Sequence, residues 1–264
     1  MLRALRLWRR RRILQRHALP ENAWRAAVAA LPLLRGLSAE ELARLRELAV
    51  LFLHDKEVVA ADGYALSEAL RLKIAAQGCL PILNLGLEWY AGWVAVIVYP
   101  DEFVPEHEYM DEAGVVHRTR DPMIGESWQR GPVILSGADV EQSGERDGVN
   151  VVIHELAHKL DMLNGAPDGY PPLHAGMDRA AWTRDFTAAY EDFCARADSS
   201  ADTPIDPYAA ESPAEFFAVM SEAFFEIPYV LQREYPAVYR QLGAFYRQDP
   251  AVRQVPFESW RELG

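Results

Sequence analysis

Residues 150–161 read NVVIHELAHKLD, and this stretch decides both the fold and the chemistry expected of the chain. Asn150 is a residue type that caps helices, so a helix is predicted from there to about residue 163. His154 and His158 then lie on one face, about one turn apart, where two imidazoles can bind a single zinc ion. Glu155 would lie beside a water molecule activated by that ion and could accept its proton. The alternative is a surface helix with two unremarkable histidines, and the apolar residues on both sides of the motif argue against it.

A catalytic zinc site needs a third protein ligand and one open position. The residues considered for this role are Asp161, His174, Glu211, Glu215 and Glu222. Asp161 follows His154 by seven residues, roughly 10.5 Å along a helix axis, which is too far for a short side chain. It is interpreted as a hydrogen-bond partner of a ligand or of the local backbone, or simply as a polar residue at the helix end. His174 lies in a loop rich in Pro and Gly, which does not fix its direction.

Two glutamates of the next helix remain open as the third ligand. Glu215 stands three residues after Ser212, the predicted N-cap, so an ordinary capping box would also explain it. Glu222 lies two turns further along the same face, inside the apolar run 216–225, where a carboxylate is usually paired. The local pattern divides the prediction between these two residues, with Glu215 preferred.

The order of helices, a small sheet and further helices predicts an α+β fold. Helices are expected after the capping box at Ser38–Glu41 and after Ser67. The predicted strands and later helices cover residues 93–99, 115–117, 132–136, 182–196 and the segment that begins at Ser212. No linker separates two cores, so we expect a basic arm over residues 1–19 and one domain over 20–264. That domain would have a helical part, 20–85, and a catalytic part, 86–264.

The charge of the chain is unevenly distributed. The net charge is −12, which argues against direct nucleic-acid binding. Residues 1–20 carry seven arginines and no acid, and the remaining 20 basic and 39 acidic residues give a net charge of −19. The arm is interpreted as a helix with a solvated basic face, docked on its own acidic body. The alternative is contact with an anionic lipid surface or an acidic partner.

The location predicted for the chain is the cytoplasm. No apolar run follows the arginines as in a signal peptide, and no stretch has the length of a membrane span. Cys79 and Cys194 are expected to be buried free thiols, which fits a reducing compartment.

Several segments together resemble the Mlc titration factor A family of zinc peptidases. These segments are residues 31–34, 80–85, 98–103, 150–161, 208–219 and 245–250. The resemblance extends over roughly residues 20–250 and implies a zincin of the Glu-ligand type, similar in its metal site to the catalytic domain of anthrax lethal factor. One difference is that family members often have Trp after Leu-Ser, where this chain has Gly137, which affects expectations about specificity.

The resemblance also implies roles for individual residues. In both families a Tyr stands seven residues before the third-ligand Glu, and Tyr208 and Glu215 have this spacing. The implied ligands of one zinc ion per chain are therefore His154, His158 and Glu215, with Glu222 as an outer carboxylate. Glu155 would be the general base, and Tyr208 would stabilise the oxyanion or protonate the leaving amine. An aromatic residue packed beside a helix start is the alternative for Tyr208.

Two functions follow from the resemblance. The first is a zinc-dependent peptidase, aminopeptidase-like, whose peptide or protein substrate could pair with a sheet edge at residues 132–136 or 93–99. The second is a regulatory binding protein that sequesters a transcriptional repressor of sugar uptake and has weak or latent peptidase activity. A purely structural zinc site fits less well, because such sites usually have four Cys and His ligands.

Overall fold

The helices before the sheet begin at the predicted caps. A computed structural model describes residues 2–61, 63–100, 107–110, 116–119, 131–199 and 203–253. The helices of this part are α1 (Leu2–Arg16), α2 (Glu21–Ala29), α3 (Ala39–Asp55) and α4 (Glu68–Cys79). Ser38 and Glu41 form the complete capping box of α3, and Ser67 Oγ accepts from the Leu70 backbone at the start of α4. Both predicted helices are confirmed.

The basic arm is helical and lies against α3. Arg10 donates a hydrogen bond to Glu47 across 2.8 Å, and the two helices are in contact. This ion pair agrees with the expectation that the arm docks on its own acidic body.

Three parallel strands form the sheet next to the predicted motif helix. They are β1 (Glu57–Ala60), β2 (Ala95–Tyr99) and β5 (Val133–Ser136), in the order β1-β2-β5. β2 is central, so the expectation that residues 93–99 offer a free edge is wrong: both sides of this strand already pair with a neighbour. Within the described residues, β5 is an edge.

Two further strands form a separate antiparallel ladder. They are β3 (His107–Met110) and β4 (Val116–Thr119). β4 confirms a short strand near the predicted 115–117, although Val115 itself lies outside the described residues. Asp101, Glu102 and Phe103, which contributed to the family resemblance, also lie outside them.

The second half of the chain is helical. Its helices are α5 (Gly137–Gln142), α6 (Val151–Asp161), α7 (Arg179–Asp198), α8 (Pro213–Glu226), α9 (Pro228–Glu234), α10 (Pro236–Tyr246) and α11 (Pro250–Arg253). The last four each begin at a proline, whose fixed φ and missing N–H suit the first helical position. The range of α7 confirms the helix predicted over 182–196, and α8 confirms the helix predicted after Ser212. The order of helices, sheet and helices confirms the α+β class.

One cluster of buried side chains extends from Trp24 to Ala251 and includes the apolar face of α6. Gly78 of α4 allows a close approach there, because a Cβ at this position would come within 2.5 Å of Leu156. Cys79 is buried and Cys194 half-buried, and both are free thiols. Within the described part of the chain, every helix falls short of the length and apolar character needed to cross a bilayer. The division at residues 19 and 85 stays a prediction.

Candidate metal centre

The motif helix α6 presents its polar face to α8. Asn150 caps α6, since its Oδ1 accepts from the Ile153 backbone across 3.0 Å. Val152 and Leu156 are buried on the opposite side, against the core. This division between an apolar and a polar face fixes the rotation of α6 about its axis and turns His154 and His158 towards α8.

Three donor atoms converge between the two helices. His154 Nε2 lies 3.2 Å from His158 Nε2, and Glu215 Oε2 lies 3.0 Å from the first nitrogen and 3.3 Å from the second. A tetrahedral zinc ion bound at ~2.05 Å keeps its donors about 3.3 Å apart. The triangle therefore has the dimensions of one face of such a coordination sphere, and these three residues could hold a metal ion.

Glu215 serves both the helix start and the donor cluster. Ser212 Oγ accepts from the Glu215 backbone N–H across 3.1 Å, which caps α8. The Glu215 carboxylate is directed at the two histidines. The capping explanation thus accounts for the backbone of this residue, and its side chain remains available as a donor.

Glu222 contacts the other nitrogen of His154. Its Oε1 lies 2.7 Å from His154 Nδ1, and its Oε2 accepts a hydrogen bond from the Asn150 backbone. A proton on Nδ1 leaves Nε2 as a lone-pair donor directed at the cluster. Glu222 therefore lies outside the donor triangle and contacts the nitrogen of His154 that faces away from it.

Burial and hydrogen bonding oppose each other in setting the pKa values of this cluster. Burial lowers the pKa of His154, but its hydrogen bonds with Glu215 and Glu222 outweigh burial and raise it well above the ordinary value. Burial raises the pKa of Glu215, but hydrogen bonds with His154 and His158 bring it well below the usual range. For Glu222 burial dominates and raises the pKa. A metal ion would therefore compete with protons for His154.

A buried polar network supports the cap of α6, and sequence reasoning missed most of it. Asn150 Nδ2 donates to Gln77 Oε1 across 2.7 Å and to Glu226 Oε1 across 2.6 Å. Glu226 Oε2 also accepts from the Arg146 backbone across 2.6 Å. Burial raises the pKa of Glu226 to about 7. The available signal was a second carboxylate four residues after Glu222, one turn along the same helix face.

The other residues considered as third ligands have different environments. Asp161 is buried and accepts from the Gly169 backbone across 2.8 Å, and burial raises its pKa to about 6. His174 Nε2 lies 2.8 Å from the Phe245 carbonyl oxygen, and its ring stacks on Phe245. Glu211 is exposed. Within the described residues, none of these three joins the donor cluster.

A cleft of about 500 Å³ opens beside the donors. His154, Glu155, Tyr208 and Glu222 contribute to its lining, and so does Asp206, whose Oδ1 accepts from the Tyr208 backbone. The Tyr208 ring centroid lies 6.1 Å from that of His154, and 51% of this residue is exposed. Of the five residues predicted for the site, His154, Glu155 and Tyr208 line this cleft, while His158 and Glu215 lie within 3.2 Å of His154.

The α+β fold and the donor cluster of two histidines and Glu215, with Glu155 beside it, are the features of a metallopeptidase-like protein. The sequence model of the glucose-regulated metallo-peptidase M90 family matches residues 5–247, and the chain belongs to this family. Among its relatives is Mlc titration factor A of Cronobacter sakazakii, 42% identical over 238 residues, which are 89% of each chain. The protein of the same name from Salmonella schwarzengrund is 42% identical over 248 residues, 93% of this chain and 92% of the relative.

Proposed function

We propose that the chain is a zinc-dependent peptidase that binds one zinc ion through His154, His158 and Glu215. The observation that supports this most directly is the donor triangle with sides of 3.0–3.3 Å. Two imidazoles and one carboxylate are a donor set that zinc accepts, and three protein donors leave a position for a reactant.

The protein's own groups have separate tasks in this proposal. His154, His158 and Glu215 would hold the zinc ion, which would supply Lewis-acid chemistry for a carbonyl and for water. Glu155 follows the first ligand and takes the proton of the attacking water, then passes it to the leaving amine. The Tyr208 hydroxyl donates a hydrogen bond to the carbonyl oxygen as it gains charge. Glu222 keeps the His154 ring in place through the 2.7 Å contact at Nδ1.

The proposed substrate is a peptide that lies along β5. This strand is an edge within the described residues, and it packs against α6. Lys159 of α6 donates to the Gly131 carbonyl across 3.0 Å and so ties the start of this edge to the motif helix. An extended peptide could pair with the side of β5 that has no partner strand among the described residues and so place a bond at the cleft.

Hydrolysis of a peptide library by the zinc-loaded chain tests the activity, with Glu155→Gln as the matched variant. We expect Glu155→Gln to bind zinc as the wild type does and to lose most turnover, because only the proton acceptor is removed. Equal turnover by both proteins would contradict the mechanism. The library also contains each peptide with a free and with an acetylated N-terminus. If the preference is aminopeptidase-like, only the peptides with a free N-terminal amine should be cleaved.

A second candidate function is the binding of a repressor protein, and the name Mlc titration factor A of the relatives supports it. Glu155→Gln again separates the two functions, because binding does not require a general base. A variant that retains repressor binding without peptidase activity would favour sequestration as the main role. Loss of both together would tie binding to the active site.

A further inference from the structure

The basic helix α1 has one side that neither the fold nor the proposed peptidase uses. Leu5 is 60% exposed and Trp8 56% exposed, although both are large apolar residues. Arg9, Arg12 and Arg16 are exposed as well. Each of these five positions lies three or four residues from another of them, so together they cover one side of the helix.

The opposite side of α1 holds the helix to the body. Ile13 and Leu14 are half-buried, and Arg10 forms its ion pair with Glu47 of α3. The helix is therefore docked in a fixed rotation, with the Leu5 and Trp8 side chains directed away from the protein. Leu5 and Trp8 are one helical turn apart and form a small apolar patch among the arginines, which is the combination that helices lying on a membrane surface present.

We propose that this face of α1 binds the surface of an anionic lipid bilayer. Leucine and tryptophan insert at the boundary between headgroups and acyl chains, and arginines around them bind lipid phosphates. The Arg12 guanidinium lies 5.2 Å from the Trp8 ring centroid, so cation and aromatic ring form one unit on this face. A helix of 15 residues is about 22 Å long, which suits binding parallel to the membrane.

The negative charge of the rest of the chain does not prevent this contact. Charges separated by more than a Debye length, about 8 Å at physiological salt, are largely screened. Arg10 also compensates Glu47, an acidic residue of the helix directly beneath α1. The arginines of the outer face therefore dominate the potential that a membrane would meet first.

Co-sedimentation of the full chain with vesicles tests the proposal. Vesicles of phosphatidylcholine alone are compared with vesicles that also contain phosphatidylglycerol. We expect binding only to the anionic vesicles and weaker binding at high salt. Each arginine near such a surface contributes about fivefold to the partition constant, so R9Q/R12Q should lower it about 25-fold. The charge-matched control is R184Q/R233Q, two exposed arginines of the body, which should leave it unchanged.

The apolar part of the surface has its own pair of variants. L5S/W8S should also reduce binding, whereas Val94→Ser, at an apolar residue of the body that is 65% exposed, should not. All variants change exposed side chains, and thermal unfolding verifies that they fold. The proposal is wrong if the wild type does not sediment, if it binds neutral and anionic vesicles equally, or if the body variants lose as much binding as those in α1. Binding to duplex DNA without binding to vesicles would likewise overturn it.

Discussion

Replacing Glu222 by Gln tests whether this buried carboxylate tunes the metal centre through His154. Glu222 Oε1 lies 2.7 Å from His154 Nδ1, and the carboxylate is almost fully buried. Gln preserves the shape and one acceptor oxygen for His154 Nδ1, but this hydrogen bond becomes neutral, and the amide NH2 takes the place of the oxygen that accepts from the Asn150 backbone. Hydrogen bonds to charged groups contribute about 1.5–3 kcal/mol and neutral ones about 0.5–1.5 kcal/mol. The midpoints of these ranges differ by about 1.2 kcal/mol, so the variant should bind zinc about eightfold more weakly.

The assay is competition for zinc between the protein and a chromophoric chelator, with Glu226→Gln as the control. Glu226 is buried on the same helix one turn later, but it contacts Asn150 and Arg146 and does not contact His154. We expect Glu226→Gln to bind zinc as the wild type does. The reasoning is refuted if Glu222→Gln also binds as the wild type does, or if both variants weaken binding equally. If both variants weaken zinc binding equally, the weaker binding would come from the altered polar group buried in α8 and not from the contact with His154.

Three other predictions concern the ligand, the cleft and the pH dependence of stability. Glu215→Ala should lower zinc affinity at least ~100-fold, because a direct ligand matters more than its outer partner. The control is Ser212→Ala, which removes the cap of the same helix and should cost about 1 kcal/mol of stability while zinc affinity is retained. If Glu215→Ala binds zinc as tightly as the wild type, Glu215 is not a ligand. Tyr208→Phe should lower kcat about 100-fold with KM and zinc content unchanged, measured on a cleaved library peptide; an unchanged kcat would assign Tyr208 a packing role. The pKa of Glu226 is raised to about 7 in the folded chain, against 4.5 for the ordinary group. Between these pH values the folded chain therefore binds one proton at Glu226 that the unfolded chain has lost. Its contribution to the free energy of unfolding should therefore fall by about 3 kcal/mol as the pH rises from 4.5 to 7. Chemical unfolding of the wild type and Glu226→Gln at several pH values measures this, and parallel curves would contradict it.

Local signals predicted the elements that carry the site. The caps at Ser38, Ser67, Asn150 and Ser212 all form as expected, because each needs only a side-chain oxygen and a backbone N–H within three residues. The strand β1 (Glu57–Ala60) was not predicted. It is four residues long with a single buried side chain, so its sequence has no alternation to detect. Its pairing with β2 is a property of the tertiary fold.

Whether a strand lies at the edge or in the centre of the sheet could not be predicted either, because this also depends on the tertiary fold. Residues 93–99 and 132–136 both read as short apolar strands, and the sequence does not say which neighbours they have. β2 is central only because β1, almost forty residues earlier, pairs with its other side. The prediction of a free edge therefore failed for one strand and remains compatible with the other, β5.

The choice between Glu215 and Glu222 had no local solution, because both lie on the same face of α8 and both contact the same histidine. An imidazole has two nitrogens on different sides of its ring, and the two carboxylates take one each. A separation of seven residues, roughly 10.5 Å along α8, is what allows one helix to reach both sides of the ring. Helix periodicity alone treats these positions as equivalent. Only the crossing of α8 over α6 distinguishes them, since it brings the N-terminal end of α8 to the Nε2 side, where His158 also lies.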